Sequence, residues 1–152
     1  MFPAPVSGTS ASKGIFQTPF YFVGSVTADA AGNAFVTTSR GIQEWTMSGK
    51  LLATFGTTGL GSLTIGPDGN LYVPNGGLDV YTPGDFHDGG VKDHTINLGG
   101  FVAFNVAFDD AGNMFVLGRA GSTAELRIIP PPYTTVNLLA RVMGINGLAI
   151  TP

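Results

Sequence analysis

The sequence contains no cysteine, so neither a disulfide framework nor a thiolate nucleophile is available to it, and cysteine usage leaves the redox compartment open. Charge is scarce as well: 11% of residues are Asp, Glu, Lys or Arg, against about a quarter in an average soluble domain. Seven bases and ten acids, net −3, are scattered singly. No basic stripe exists to neutralise phosphates, and nucleic acid is not an expected partner. Long hydrophobic runs are missing too. Stretches such as residues 20–23 and 138–140 fall far short of the roughly 20 residues of a helical bilayer crossing, so no membrane span is expected. There is no Gly-x-Ser-x-Gly elbow and no phosphate-binding glycine motif, and both histidines lie in one segment, so nucleophilic catalysis has no support. The opening Met-Phe-Pro-Ala-Pro lacks a cationic segment followed by an apolar one and is not an intact signal peptide.

What is present is apolar and turn-rich. The 152 residues are 43% hydrophobic, with 23 glycines and 10 prolines. That is ample material for one core and argues against both disorder and long helices. A surface of Thr, Ser, Asn and Gly with little charge points to export, as a secreted or cell-surface protein whose numbering starts after the signal peptide. One domain, 1–152, is expected.

Self-alignment gives the organising feature. Ser25-Val-Thr-Ala-Asp-Ala-Ala-Gly32-Asn33-Ala-Phe-Val36 recurs as Ser62-Leu-Thr-Ile-Gly-Pro-Asp-Gly69-Asn70-Leu-Tyr-Val73 and as Asn105-Val-Ala-Phe-Asp-Asp-Ala-Gly112-Asn113-Met-Phe-Val116. The glycines stand 37 and 43 residues apart, close to the roughly 40 of a four-stranded propeller blade. A fourth copy starts at Gly147-Leu-Ala-Ile-Thr-Pro152. Each copy reads as an apolar strand, an Asp- or Pro-led turn ending in Gly-Asn, and an antiparallel second strand. Gly-Asn is expected to supply the positive φ of a tight hairpin. Consecutive apolar residues in Leu71-Tyr-Val and Met114-Phe-Val imply sheets covered on both faces. Third and fourth strands are expected at residues 42–45 and 51–55, at 78–81 and 95–98, and at 125–129 and 136–142.

These residues resemble the NHL-repeat family, whose blades combine an apolar strand, Asp-x-x-Gly-Asn-Leu-Tyr-Val, an Ile/Val-x-Val-Phe strand and a Gly-Lys turn. The resemblance covers about residues 24–152. It implies an all-β propeller with three complete four-stranded blades, at 24–57, 61–99 and 103–143, plus a split or partial fourth blade. Three blades cannot close a ring. Residues 1–23 are expected to supply an N-terminal strand segment and 145–152 an innermost strand. Together these would complete a composite blade within one chain or between chains of a homo-oligomer, unless the chain belongs to a longer propeller.

Candidate sites are few. Ile145-Asn-Gly-Leu-Ala-Ile-Thr-Pro152 is similar to the Asn-Gly-Leu-Ala-x-x-Pro segment of gluconolactonase-type propellers, where the resemblance implies an Asn on a catalytic divalent cation. Such a site needs several oxygen ligands from different blades. The positions equivalent to Asn146 are Gly24, Gly61 and Phe104, which offer none, so Asn146 is read as a turn or channel-lining amide. The segment 85–94, with Asp85, His87, Asp88, Asp93 and His94, has metal-ligand residue types but no ligand spacing and reads as a solvated insertion. No metal, cofactor or catalytic residue is expected. Aromatics gather before the inner strands: Phe20, Tyr21 and Phe22 ahead of the first copy, Phe101 and Phe104 ahead of the third. They either plug the gap between blades or stack on a ligand, and with Asn146 they form the expected ligand-binding set. Trp45 is read as structural.

The function expected is a non-catalytic binding or assembly module presenting a propeller face to a protein or carbohydrate. The alternatives are a lactonase- or lyase-like enzyme completed by a partner chain or further blades, and a structural subunit that polymerises through open propeller ends.

Overall fold

The structure, a computed structural model, describes residues 23–56, 61–83 and 92–142. They form twelve strands in three antiparallel four-stranded sheets, each strand pairing with its successor in sequence. The first sheet holds β1 (Val23–Ala28), β2 (Ala34–Thr38), β3 (Gly41–Trp45) and β4 (Leu51–Phe55). The second holds β5 (Thr64–Ile65), β6 (Leu71–Asn75), β7 (Gly77–Tyr81) and β8 (His94–Ile96). The third holds β9 (Phe101–Phe108), β10 (Met114–Ala120), β11 (Thr123–Ile129) and β12 (Asn137–Arg141). Among the described residues no helix is long and apolar enough to cross a membrane. The expected composite blade from residues 1–23 and 145–152 falls, apart from the start of β1, outside the described residues.

The three repeated turns share a construction. Gly32, Gly69 and Gly112 have φ of +87°, +80° and +78°, a region closed to most side chains. The asparagines that follow do not adopt positive φ, against expectation. Their contribution is hydrogen bonding: Asn33 N–H donates to Asp29 Oδ1 (2.8 Å) and its Nδ2 to Oδ2 (3.2 Å). Asn113 repeats this on Asp109 at 2.8 Å for both bonds. These bonds hold the Asp109 carboxyl below the usual carboxylate range, first through the Asn113 side chain.

The second turn departs from the pattern. Gly66 stands where the other copies have Asp, and the carboxylate comes instead from Asp68, two residues on. Asp68 Oδ1 accepts from Asn70 N–H (3.1 Å) and Oδ2 from Asn70 Nδ2 (3.0 Å). Gly66 is required by this arrangement, since a Cβ there would lie 2.7 Å from both Asp68 Oδ1 and the Tyr72 ring.

Alternation along β6 sends Leu71 and Val73 one way and Tyr72 the other. Leu71 and Val73 join Leu63 and Tyr81 against Phe35, Ile42 and Phe55 of the first sheet. The Phe55 and Tyr81 rings lie 5.4 Å apart across that seam. Tyr72 joins Leu78, Val80 and Ile96 against Phe101, Val106, Met114, Val116 and Ile129 of the third. The middle sheet is thus buried on both faces, as its consecutive apolar residues require. Each such side chain contributes about 1.5–3 kcal/mol of transfer free energy. Inner strands are also tied directly: Leu63 N–H donates to Ser25 Oγ (2.9 Å), Ser62 N–H to Phe104 O (2.8 Å) and Thr64 Oγ1 to Val106 O (2.7 Å).

Candidate binding groove between the second and third blades

The antiparallel meander places the β5–β6 turn, the connection into β8 and the β11–β12 loop at the same end of their sheets. Where the second and third sheets stack, the β5–β6 turn, strand β8 and the β11–β12 loop line an open groove of about 480 Å³, with Asp68, Asn70, Tyr72, His94, Tyr133 and Thr134 among the lining residues. Its floor is aromatic. Tyr72 packs against Phe108 with ring centroids 5.0 Å apart, and Tyr133 stands edge-on to both at 6.2 Å. Edge-to-face trios of this kind add about 0.5–1.5 kcal/mol per pair beyond area burial.

Polar bonds fix the rings. Tyr72 Oη donates to Asp68 Oδ2 at 2.7 Å. Burial first, and the Asp68 hydrogen bond and charge second, raise the Tyr72 phenol well above its ordinary value, so it stays a donor throughout the accessible pH range. Tyr133, at φ +64°, donates its Oη to Gly112 O at 3.1 Å and so bridges the β11–β12 loop to the repeated turn of its own blade. Burial likewise raises its phenol, followed by the Asp68 charge. His94 Nδ1 lies 2.8 Å from Asp93 Oδ2, both side chains being exposed. Among the described residues no group of three His, Asp or Glu side chains converges as metal ligands would.

Of the expected ligand-binding residues, only Phe101 and Phe104 are among those described. Phe20, Tyr21, Phe22 and Asn146 lie outside the described residues, as do Asp85, His87 and Asp88. Phe101 is fully buried. Its ring is covered by the Arg127 guanidinium at 4.2 Å, and Arg127 is itself held by Glu125 Oε2 (2.9 Å) and Leu98 O (3.1 Å). It packs between blades and has no face to offer a ligand. Phe104 is half-buried at the opposite end of the sheets from the groove, with Arg119 5.8 Å from its ring centroid. Gly61, the equivalent position in the second blade, abuts it so closely that a Cβ would lie 2.5 Å from Phe104 O.

Sequence reading did not single out Asp68, Tyr72 or Tyr133. The available signals were the displaced Asp of the second turn and the Tyr that follows Pro130-Pro-Pro.

No protein-family model and no curated protein sequence matches the chain. Solved structures do. Virginiamycin B lyase from Staphylococcus aureus superposes with a TM-score of 0.58 at 13% identity, over 77% of this chain and 40% of that one. The extracellular domain of a hybrid two-component system from B. thetaiotaomicron gives 0.61 at 16% identity, over 86% of this chain and 18% of that one. A chain of a nidogen/laminin complex gives 0.60 at 16% identity, over 78% and 48%. All three are β-propellers, and at these identities the likeness shows the fold: three four-stranded blades of a β-propeller. The chain spans less than half the length of these solved chains.

Proposed function

We propose that the chain is a non-catalytic propeller module of the NHL-repeat type that binds a protein or carbohydrate ligand, acting outside the cell. The observation that carries this reading is the groove between the second and third blades, in which aromatic and polar side chains converge without a nucleophile–base pair. The carboxylate at its edge, Asp68, is occupied by the turn and by Tyr72. The Asp-Asn turns and the extracellular and protein-complex contexts printed for two of the similar propellers support the same reading. The three blades described fall short of the four to eight of a closed propeller, and the reading leaves the remainder to residues 1–23 and 145–152, to a second copy of the chain or to a longer propeller.

Its test is a binding measurement of the purified chain against immobilised glycans and extracellular-matrix proteins, with saturable binding expected. The competing lyase- or lactonase-like reading is checked by turnover. Hydrolysis of simple lactones and esters is expected to stay at the buffer rate with or without calcium, magnesium or zinc, because Gly24, Gly61 and Phe104 occupy the positions a multi-blade cation site would use. A metal-dependent rate that disappears in Asn146→Ala would promote the enzyme instead.

A further inference from the structure

We infer that the groove between the second and third blades takes a neutral saccharide. The inference rests on the binding-module reading and gives its ligand a chemical class. At about 480 Å³ the groove is within the range of small-molecule sites, and its walls mix the two surfaces that a sugar ring presents. The half-buried Tyr133 ring offers an apolar face to C–H groups. Around it stand groups that both donate and accept, as sugar hydroxyls do. Asn97 accepts the Gly99 N–H on Oδ1 at 2.9 Å, and among the described residues its Nδ2 and the Thr134 hydroxyl bond to no other side chain. His94 contributes an exposed imidazole. Asp68, which also lines the groove, is held in place by Asn70 and Tyr72.

Charge separates the sugar classes. Among the described residues no Lys or Arg lines the groove, while Asp68 does, and the chain carries net charge −3. A phosphate, sulfate or uronate would enter against this field, and the nearby Lys92 is already held by Asp79 at 3.1 Å. A peptide that binds by strand addition would need an edge to pair with, and the adjoining strand β8 is three residues long, short for a template.

The test is calorimetric titration of the full chain with neutral hexasaccharides of glucose, mannose, xylose and N-acetylglucosamine, and with a hexauronate for comparison. At least one neutral sugar is expected to bind with Kd below about 1 mM, and the uronate to bind at least tenfold more weakly. Thr134→Ala and His94→Ala remove exposed groups that brace no other element, and each is expected to weaken binding about three- to tenfold with an unchanged melting temperature. Lys50→Ala, in the first blade, should alter neither. Sugar binding that both groove variants leave intact would move the site elsewhere on the propeller while preserving the module reading. Preference for the uronate would overturn the inference. Absence of any sugar binding would also overturn it, and saturable binding to a matrix protein in the same preparation would then show that the module reading survives with a protein as its ligand.

Discussion

Gly118→Ala is expected to destabilise the fold by about 3 kcal/mol or more, lowering the melting temperature by about 6–12 °C. Gly118 lies in β10 where its pairing with β9 shifts register between Leu117 and Gly118, and it is buried. A Cβ there would lie 2.2 Å from Val102 O and 2.6 Å from the Phe101 ring. Neither neighbour can yield cheaply. Val102 O belongs to the strand backbone, and the Phe101 ring is held from its other side by Arg127 at 4.2 Å, whose guanidinium is fixed by Glu125 and Leu98. Relief would require separating β9 from β10 or expelling Phe101 from the seam between the second and third blades. Gly121→Ala is the control. That glycine has φ +59° with nothing within 4 Å of a Cβ, so its alanine meets conformational strain of about 1–2 kcal/mol and no clash. Thermal melts of the two variants should therefore differ clearly, with Gly118→Ala the lower. Equal melting temperatures would show that the seam around Phe101 is loose enough to repack.

How much of this was legible follows from where the information lies. The blades were legible because each depends on local chemistry repeated in register: a carboxylate, a glycine at positive φ and an asparagine that bonds back to the carboxylate. The strand pairing was legible for the same reason, since a hairpin fixes its own neighbours. Double coverage of the middle sheet could be read from Leu71-Tyr-Val, because an uninterrupted apolar run has no face for water.

The groove could not be read in this way. Tyr72 and Tyr133 are 61 residues apart and meet only because two blades stack, and the Pro-Pro-Pro-Tyr that places Tyr133 is not repeated in the other copies. Phe101 illustrates the converse. Expected ahead of an inner strand, it is instead the first residue of β9, and whether such a ring faces a ligand or a neighbouring blade is decided by how the sheets pack. Asn33 and Asn113 show a smaller shortfall: their place in the turn was anticipated, while their role turned out to be side-chain bonding to Asp rather than backbone conformation. Asp79 was hidden because a single acid inside Leu78-Asp-Val-Tyr breaks the apolar run without announcing its partners.

Those partners make Asp79→Asn the variant whose cost depends most on pH. Asp79 is a buried carboxylate in the centre of β7. Its Oδ2 accepts from Asn75 Nδ2 at 2.9 Å, and its Oδ1 from Thr95 Oγ1 at 2.7 Å and from Lys92 Nζ at 3.1 Å. Burial alone would raise its pKa. The bonds from Asn75, Thr95 and Lys92, together with the Lys92 charge, outweigh burial and hold the carboxyl below its ordinary value. The network links β6, β7 and β8, adding side-chain hydrogen bonds to the packing of Ile96 that holds the three-residue β8. An amide at position 79 keeps one acceptor but turns a donor toward groups that are themselves donors. The expected loss at pH 7 is about 2–3 kcal/mol, the scale of hydrogen bonds to a charged group together with one donor left facing another. Because the folded-state pKa is depressed, the ionic part of this stability is fully present above the unfolded value of about 3.9 and is lost as pH falls through the lower folded value. Urea unfolding at pH 7 and at successively lower pH below 4 should therefore show wild type and Asp79→Asn converging on acidification, the wild type losing stability faster. Curves that stay parallel down to pH 2 would mean that Asp79 contributes through packing and neutral hydrogen bonds alone. Curves that diverge would mean that the folded-state pKa of the carboxyl lies above its unfolded value, so that burial outweighs the bonds from Asn75, Thr95 and Lys92.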